Sequence, residues 1–583
     1  MRGRLSAALV TGALVATIGS GVALALPVAA ASRVAAPSRA PAEPLSPKMR
    51  LASDLTTRRA TPTTATPQLA SSAPCNSNWN AVASPNVGAG RNNLNGIAAV
   101  APNDVWSVGT YVNGSSVFQT LAEHWDGSAW SVVTTPNVGT GNNLFIAVTA
   151  IGPADVWAVG YWRTGDSSTG AQPLTEHWNG NGWTIVPTPL APNSSTKLSS
   201  VSADASNDVW AVGIWIDVPT TNLGPRARPY VLRWTGSNWS AVVAPVPQVP
   251  TGGLDFSGLN GVKVLTGNDV WVVGDGADFT GNFQVSADTA FSNHWNGAFW
   301  SSVSVPAHSN GDFLSDVQGS AGDLWAVGGQ SQSYQGVSDN VLIEHSTGTN
   351  WIEVTTPALA SQSANLFALG YITGTNVYAV GATASNPATA QELDQTLIER
   401  WNGSAWSQVS SANPSMSDGL FAIAAISGSA IWTAGFTTGN GYEQTLTENY
   451  CVPPVVTNVA PSSGNGGSTV VITGSGFSRA IDVEFGATPA FSFHVDSDTQ
   501  ITAVSPGHKA GTVHITVTVQ GTSATSSADQ FTYTGSRSGV TAEPDTHFQG
   551  RTFAPPPVPP PPPTPMIALR RFAGTSRSAP TPI

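Results

Sequence analysis

The chain has 583 residues, of which 41% are hydrophobic and only 10% charged, and its formal net charge is −12. Residues 61–535 hold 10 Lys or Arg against 31 Asp or Glu. Such an acidic body argues against nucleic acid or an anionic membrane as the partner. The two cysteines in the whole chain form no spaced cysteine–histidine cluster, and we expect neither a metal nor a cofactor.

The N-terminus has the pattern of a secretory signal. Arg2 and Arg4 precede an apolar run over residues 5–26, and small residues at 29–31 offer a cleavage site. This predicts a signal peptide over residues 1–31 and an extracellular location, with an uncleaved anchor as the alternative. Residues 32–74 are rich in Ala, Pro, Ser and Thr and are interpreted as a disordered linker.

A short apolar signature then recurs seven times. Its first copy is Asp104-Val105-Trp106-Ser107-Val108-Gly109. Successive central aromatics are 51, 53, 61, 54, 53 and 54 residues apart. A fixed period of this size is typical of radially repeated folds. The central aromatics are Trp106, Trp157, Trp210, Trp271, Trp325, Tyr378 and Trp432.

Each period contains four short apolar segments and no helical pattern. The third and fourth segments flank a pair such as Asp126-Gly127, which favours a hairpin turn because both residues tolerate positive φ. The repeat therefore predicts an all-β fold, a seven-bladed β-propeller over residues 75–451. Of the 20 tryptophans, 18 occupy repeated strand positions, and we expect them to pack between blades.

Two repeated polar motifs are interpreted as structural. The Glu-His-Trp triplet, first seen at residues 123–125, places neighbouring side chains on opposite faces of a strand in separate blades. We expect hydrogen-bonded groups between sheets rather than a metal site. The Asp that opens each signature is expected to bond nearby backbone in a turn.

The order of the segments predicts how the ring closes. Trp79 begins a fourth-strand segment before the first complete repeat, and the segment ending at Tyr450 is a third strand with no successor. The N-terminal strand should therefore complete the last blade. Cys75 and Cys451 lie where the missing hairpin turn would be, and we predict that they form a disulfide. The linker and the following domain should both leave from the short-turn face.

A different pattern follows the ring. Residues 452–535 contain paired glycines and short strands, which predict a β-sandwich. Val470-Val471-Ile472-Thr473-Gly474-Ser475-Gly476-Phe477 and Val483-Glu484-Phe485-Gly486 resemble the IPT/TIG family of immunoglobulin-like domains. That resemblance implies an extracellular spacer or interaction module. Residues 536–583, with prolines at 555–557 and 559–563, predict a disordered tail.

The repeat resembles kelch-like and other bacterial surface propellers in period, without the kelch paired glycines. No nucleophile elbow, phosphate loop or sialidase box is found. We therefore favour a secreted or cell-surface, non-catalytic binding or adhesion protein, a monomer whose partner is an extracellular glycan or protein. Two alternatives remain open: a glycan-active enzyme whose site is assembled across blades, and a structural envelope protein.

The ligand is predicted to lie on the face that carries the longer, unequal connections, because variable loops on a rigid scaffold commonly bind. Two tryptophans fall outside the repeated positions, both beside these connections. Aromatic and polar side chains together suit a sugar or a peptide. The alternative is that both tryptophans extend their strands and pack under their own loops. The candidate residues are Trp162, Trp215, Tyr161, Arg163, Asp217, Arg226 and Arg228.

Overall fold

The computed structural model describes residues 75–535 except 164–169, 190–193, 218–225, 244–255, 278–288, 309–310, 332–337, 358, 360–362, 385–393, 440–441, 478–479 and 520. The predicted signal peptide, linker and tail lie outside the described residues. Within them, β-strands form seven four-stranded antiparallel units followed by one sheet of four strands and one of five. The third and fourth units are joined into a single eight-stranded sheet by a parallel pairing of Ala227 with Phe256. One short 3-10 turn, Ser527–Asp529, is the helical element of the described chain.

Each unit has four strands, which we call first to fourth by their order across the sheet. The first strands are β2 (Asn92–Ala101), β6 (Asn143–Gly152), β10 (Ser194–Ala205), β14 (Phe256–Thr266), β18 (Asp312–Ser320), β22 (Ser363–Thr373) and β26 (Asp418–Ser427). The second strands are β3 (Asp104–Val112), β7 (Asp155–Trp162), β11 (Asp208–Asp217), β15 (Asp269–Ala277), β19 (Asp323–Ser331), β23 (Asn376–Ala384) and β27 (Ala430–Gly439).

The fourth strands are the shortest, with three or four residues each. The third strands are β4 (Phe118–Trp125), β8 (Gln172–Trp178), β12 (Arg226–Trp234), β16 (Thr289–Trp295), β20 (Ser338–Ser346), β24 (Asp394–Trp401) and β28 (Tyr442–Cys451). The fourth strands are β5 (Trp130–Val133), β9 (Trp183–Ile185), β13 (Trp239–Val242), β17 (Trp300–Val303), β21 (Trp351–Glu353), β25 (Trp406–Val409) and β1 (Trp79–Val82). We number the blades 1 to 7, from β2–β5 to β26–β28 with β1.

The seven units close into a ring. The first strand of each blade contacts the first strand of the next, and β26 contacts β2. The fold class predicted from the repeat, a seven-bladed propeller followed by an immunoglobulin-like sandwich, is confirmed. Glycine is required in the hairpin between β4 and β5, because Gly127 has a φ of 97° and an added Cβ would lie 2.8 Å from the Cβ of Asn103.

The predicted packing of aromatics between blades is also confirmed. A ring of each second strand meets a ring of the neighbouring blade, so large apolar surfaces fill every interface. The ring centroids are 4.8 Å apart for Trp106–Trp178, 4.9 Å for Trp157–Trp234, 5.9 Å for Trp210–Trp295, 6.1 Å for Trp271–Trp351, 5.1 Å for Trp325–Trp401, 6.2 Å for Trp79–Tyr378 and 4.8 Å for Trp125–Trp432.

The last blade closes as the strand order predicts. Strand β1 pairs antiparallel with β28, with Trp79 opposite Tyr450. Beside this pair, Cys75 and Cys451 form a disulfide with Cα atoms 4.7 Å apart. The disulfide thus occupies the position that a hairpin turn occupies in the other blades. Val452 leaves the ring at a short turn, where its amide donates to the Ser429 carbonyl at 3.1 Å.

The C-terminal region is a sandwich of two sheets. One has the order β29 (Val455–Ala460), β31 (Thr469–Ser475), β35 (Gln500–Val504) and β34 (Ser492–Ser497). The other has the order β30 (Ser463–Gly464), β37 (Gln530–Tyr533), β36 (Gly511–Thr518), β32 (Asp482–Phe485) and β33 (Thr488–Pro489). Between the sheets lies an apolar core that includes Ile472, Phe485 and Phe531. The sandwich approaches the ring closure at Gly521, where an added Cβ would lie 2.5 Å from the Cβ of Cys75.

Candidate functional site

The propeller has two unlike ends. We call the end with the first-to-second and third-to-fourth turns the short-turn end. The opposite end, where second strands finish and first and third strands begin, is the long-loop end. Two of the second strands run on into this end: β7 ends at Trp162 and β11 at Asp217, so the candidate residues Tyr161, Trp162, Trp215 and Asp217 lie in strands.

At the short-turn end, the histidine of the Glu-His-Trp motif is structural, as expected. In blade 1, His124 Nε2 lies 2.8 Å from Asp104 Oδ1 and its ring centroid lies 4.4 Å from that of Trp106. Blades 2, 4 and 5 repeat both contacts with His177, His294 and His345.

The expected role of the aspartate is wrong. Asp104 does not serve a turn; its carboxylate reaches across to a histidine of the third strand, as do Asp155, Asp269 and Asp323. In blade 3 an arginine takes the place of the histidine, and Arg233 Nε donates to Asp208 Oδ1 at 2.8 Å. The aspartate of the signature and the histidine of the Glu-His-Trp triplet are therefore partners in one cross-strand contact.

The glutamate of the same motif is not hydrogen-bonded as expected. Both carboxyl oxygens of Glu123, Glu176, Glu344 and Glu399 are buried and have no hydrogen-bond partner among the described residues. Burial raises the pKa of Glu176 to about 9, of Glu344 to about 8 and of Glu399 to about 7. Burial alone also raises the pKa of Glu123 well above its usual range. Fully buried side chains cannot meet a ligand, so these carboxyls belong to the packing between blades.

At the long-loop end, the first predicted tryptophan is part of an interface. Trp162 is the last residue of β7 and packs against the core cluster that contains Trp106, Val108 and Phe145. It therefore faces blade 1. Trp162 thus extends its strand and packs against the neighbouring blade.

Trp215, the second predicted tryptophan, points toward a different interface from Trp162. Along β11, Trp215 lies on the same side as Val209 and Ala211, which pack against Trp157 and Val159 of blade 2. Arg228 is directly opposite Trp215 in the adjacent strand, is exposed, and places its guanidinium carbon 5.9 Å from the centre of a Trp215 ring. The side chains of Trp215 and Arg228 thus point toward blade 2.

The side chain of Tyr161 points toward blade 3. It lies on the same side of β7 as Trp157 and Val159, and is 7% exposed. Two cations lie over its ring, with the Arg163 guanidinium carbon at 5.3 Å and the Lys197 ammonium at 5.4 Å from the centroid. Lys197 belongs to the first strand of blade 3 and is 0% exposed. Its contact with Tyr161 therefore links blades 2 and 3.

The structure shows two cation–ring groups at the long-loop end of blades 2 and 3, which together we call the blade 2–3 site. Arg163 and Lys197 lie over Tyr161, and Arg228 lies over Trp215. Trp162 is on the other side of blade 2. The side chains of Asp217 and Arg226 lie outside the described residues, although their backbones pair with one another. Sequence reasoning missed Lys197, because a single lysine 36 residues from Tyr161 has no motif that links it to that ring.

A second polar group lies at the long-loop end between blades 4 and 5. His308 Nδ1 lies 2.8 Å from the buried Asp312 carboxylate, and its Nε2 lies 3.2 Å from Glu353. Burial opposes protonation of His308, but the hydrogen bonds to both carboxylates outweigh it and raise its pKa. Sequence reasoning missed this group too, since its members come from three separate elements.

No group of three or more His, Cys, Asp or Glu side chains in the described part of the chain has a geometry that could hold a metal ion. Among the same residues, no helix is long and apolar enough to cross a membrane.

Residues 454–533 match the IPT/TIG domain family. Comparison with curated proteins gives no match. Among solved structures, the chain resembles YCF48 bound to D1 peptide, with 17% identity, 66% of this chain and 99% of that chain covered, and a TM-score of 0.38. YCF48 from Cyanidioschyzon merolae is similar at 16% identity, with 64% and 98% covered and a TM-score of 0.37. An ulvan lyase, from a new polysaccharide lyase family, is similar at 10% identity, with 62% and 94% covered and a TM-score of 0.41. Likenesses this weak say nothing about ligand or activity.

Proposed function

We propose that this chain is a secreted or cell-surface, non-catalytic binding protein whose ligand, a glycan or a peptide, contacts the long-loop end of the propeller. The observation that supports the proposal is the blade 2–3 site, where cations lie over Tyr161 in blade 2 and over Trp215 in blade 3. Aromatic surface with a few convergent polar groups, held on a rigid ring, is the usual composition of a recognition site.

Two further features support an extracellular protein. The disulfide between Cys75 and Cys451 is of a kind that persists in oxidising compartments. The predicted signal peptide over residues 1–31 would deliver the chain there. The IPT/TIG match fits a surface role, since the sandwich follows the ring directly.

The test is a glycan and peptide array probed with the full chain, then with two matched variants. Trp215→Ala removes an aromatic of the blade 2–3 site. Phe299→Ala removes an aromatic that is 61% exposed at the short-turn end. We expect the first variant to weaken binding about tenfold, the loss of one good contact, and the second to leave it unchanged. If both variants weaken binding equally, or if neither does, the long-loop end is rejected as the binding surface.

The alternative, a glycan-active enzyme, rests on a different observation. His308 is held between Asp312 and Glu353, and such a carboxylate-oriented imidazole is suited to proton transfer. Incubation with a polysaccharide panel, followed by analysis of reducing ends and unsaturated products, tests it. Turnover that His308→Gln abolishes would establish the enzyme and reject the non-catalytic proposal.

A further inference from the structure

We propose that His308 is a pH-sensitive fastening at the long-loop end: its ionised ring joins Asp312 to Glu353, and loss of its proton releases Glu353 while Asp312 stays bound. The inference does not rest on the proposed function, since it concerns blades 4 and 5 and not the blade 2–3 site. It follows from what each ring nitrogen faces, from the unequal exposure of the two carboxylates, and from the neutral amides that hold the same place in other blades.

Both ring nitrogens of His308 face carboxylate oxygens. Nδ1 lies 2.8 Å from Asp312 Oδ2, and Nε2 lies 3.2 Å from Glu353 Oε2. An imidazolium has an N–H at each nitrogen and can donate to both, whereas a neutral imidazole keeps one N–H and presents a lone pair at the other nitrogen. A lone pair is repelled by a carboxylate oxygen, so both contacts exist together with ionised carboxylates only when the ring is protonated.

The two carboxylates differ in exposure, and this decides which contact is lost. Asp312 is 1% exposed, and its other oxygen accepts from the Ala290 amide of blade 4 at 2.7 Å. The side chain of Glu353 is 48% exposed, and Gln330 donates to its other oxygen at 3.3 Å. Losing a donor costs a buried carboxylate more than one that water can reach. The single N–H of the neutral ring therefore remains on Nδ1 toward Asp312, and Glu353 is released to water.

The titration of His308 sets the pH at which this happens. Burial lowers the pKa of His308, but the hydrogen bonds to its two carboxylates outweigh burial and raise the pKa above its usual value of 6.5. The contact with Glu353 is therefore complete below about pH 6.5 and is lost as pH rises through the folded pKa.

One more acidic group is coupled to the ring. Glu344 lies directly opposite Glu353 in the neighbouring strand, and burial raises its pKa to about 8. Glu344 is therefore neutral at pH 7 and does not compete for the His308 proton there. The positive charge of His308 lowers the pKa of Glu344, so loss of that charge favours the neutral Glu344 further.

Release of Glu353 loosens the chain that crosses from blade 4 to blade 5. Residues 304–308 follow β17, and the Ser304 carbonyl accepts from the Trp351 amide of β21 at 3.0 Å. His308 joins the same stretch to Glu353, two residues further along β21. A backbone hydrogen bond and an ionic contact thus hold residues 304–308 on the outer strand of blade 5, and the ionic contact is the one that depends on pH.

The connections that enter blades 1 and 2 are fastened by neutral amides. Asn92 and Asn143 occupy the position of Asp312, each two residues before the register shift of its first strand. Their side-chain oxygens accept from the backbone amides of Val87 and Val138, both at 2.8 Å. A side-chain amide does not ionise, so these two contacts should be independent of pH.

Amide hydrogen exchange of the full chain, resolved to single residues between about pH 5.5 and pH 9, tests the proposal. The Trp351 amide reports whether residues 304–308 stay in place, and the Val354 amide, which donates to Ile343 within blade 5, is the internal control. Base catalysis cancels in the ratio of the two rates. We expect that ratio to rise about tenfold as His308 loses its proton, the effect of losing one hydrogen bond to a charged group. A constant ratio would overturn the proposal.

Glu353→Gln gives the sharpest comparison. A glutamine side chain can accept from protonated His308 and donate to the neutral ring, so the contact should survive at every pH and the exchange ratio should stay flat. Asp496→Asn removes an exposed carboxylate from the sandwich and should leave the pH response unchanged. Melting temperatures verify folding. A ratio that still rises about tenfold in Glu353→Gln would overturn the role of Glu353.

A spectroscopic measurement on the unsubstituted protein makes the test independent of the variants. Nitrogen-15 NMR of labelled histidines separates the protonated ring from each neutral tautomer, and His308→Gln identifies the signals of His308. We expect His308 to titrate above pH 6.5 and its neutral form to carry the proton on Nδ1. Titration below pH 6.5, or a neutral form with the proton on Nε2, would contradict the proposal.

Discussion

The short-turn end of the propeller repeats one arrangement in blades 1 to 5, whereas each contact described at the long-loop end is shared by only some of the blades. At the first, an aspartate, a cation or histidine and an aromatic ring recur, as in Asp104, His124 and Trp106. At the second, blades 2 and 3 hold cations on aromatic rings while blades 4 and 5 hold His308 between carboxylates. The repeated contacts therefore belong to the fold, whereas the proposed recognition depends on contacts that only a few blades have.

The largest effect should come from breaking the ring closure. Replacing Cys75 and Cys451 together by serine removes a link between residues 376 apart, so the unfolded chain regains much conformational freedom. We expect a loss of about 4 kcal/mol in the free energy of unfolding, measured by denaturant titration. A loss below about 1 kcal/mol would show that strand pairing alone holds the last blade.

The buried glutamates should make the ring less stable as pH rises. Their pKa values are higher folded than unfolded, so the folded state binds more protons and stability falls from about pH 4.5 upward, until pH passes the folded pKa. For Glu176 that pKa is about 9. Glu176→Gln should therefore stabilise the protein by about 2 kcal/mol at pH 7 and have little effect at pH 4.

The matched control for that measurement is Asp496→Asn in the sandwich. Asp496 is an exposed carboxylate whose pKa is lowered by hydrogen bonds to Thr502 and Gln500. Its replacement should not reproduce the neutral-pH gain. If the melting temperature of Glu176→Gln follows the unsubstituted protein at every pH, then Glu176 is not protonated in the folded ring.

A smaller effect is expected from the repeated contact at the short-turn end. His177→Ala removes the bond to Asp155 and the stacking on Trp157, and should cost about 1–2 kcal/mol of stability. Ligand affinity measured on the folded variant should not change. A loss of binding without a loss of stability would place function at this end and overturn the comparison.

The smallest effect on stability should come from the long-loop end. Arg228→Ala replaces an exposed side chain, and the free energy of unfolding should change by no more than about 0.5 kcal/mol. Thermal melts of this variant beside His177→Ala give the comparison directly. A cost as large as that of His177→Ala would mean that Arg228 supports the fold as well as binding.

Much of the architecture is determined by the sequence itself. The regular recurrence of the aromatic signature predicts repeated sheets, one for each copy. The Asp-Gly or Asn-Gly pairs predict where the hairpin turns lie, because turn geometry is local. The split last blade follows from the order of segments, and Cys75 with Cys451 follows from that split. These inferences succeed because each depends on neighbours along the chain or on the repeat.

Only the tertiary structure decides which side chains meet. Adjacent residues of a strand point to opposite faces, so Trp162 packs against the cluster that contains Trp106, whereas Tyr161 packs with Leu144. Lys197 reaches Tyr161 from the next blade, and the pKa of Glu176 depends on burial between sheets that the sequence does not show to be in contact. Register, facing and burial are relations between strands tens of residues apart, and they exist only once the blades have packed.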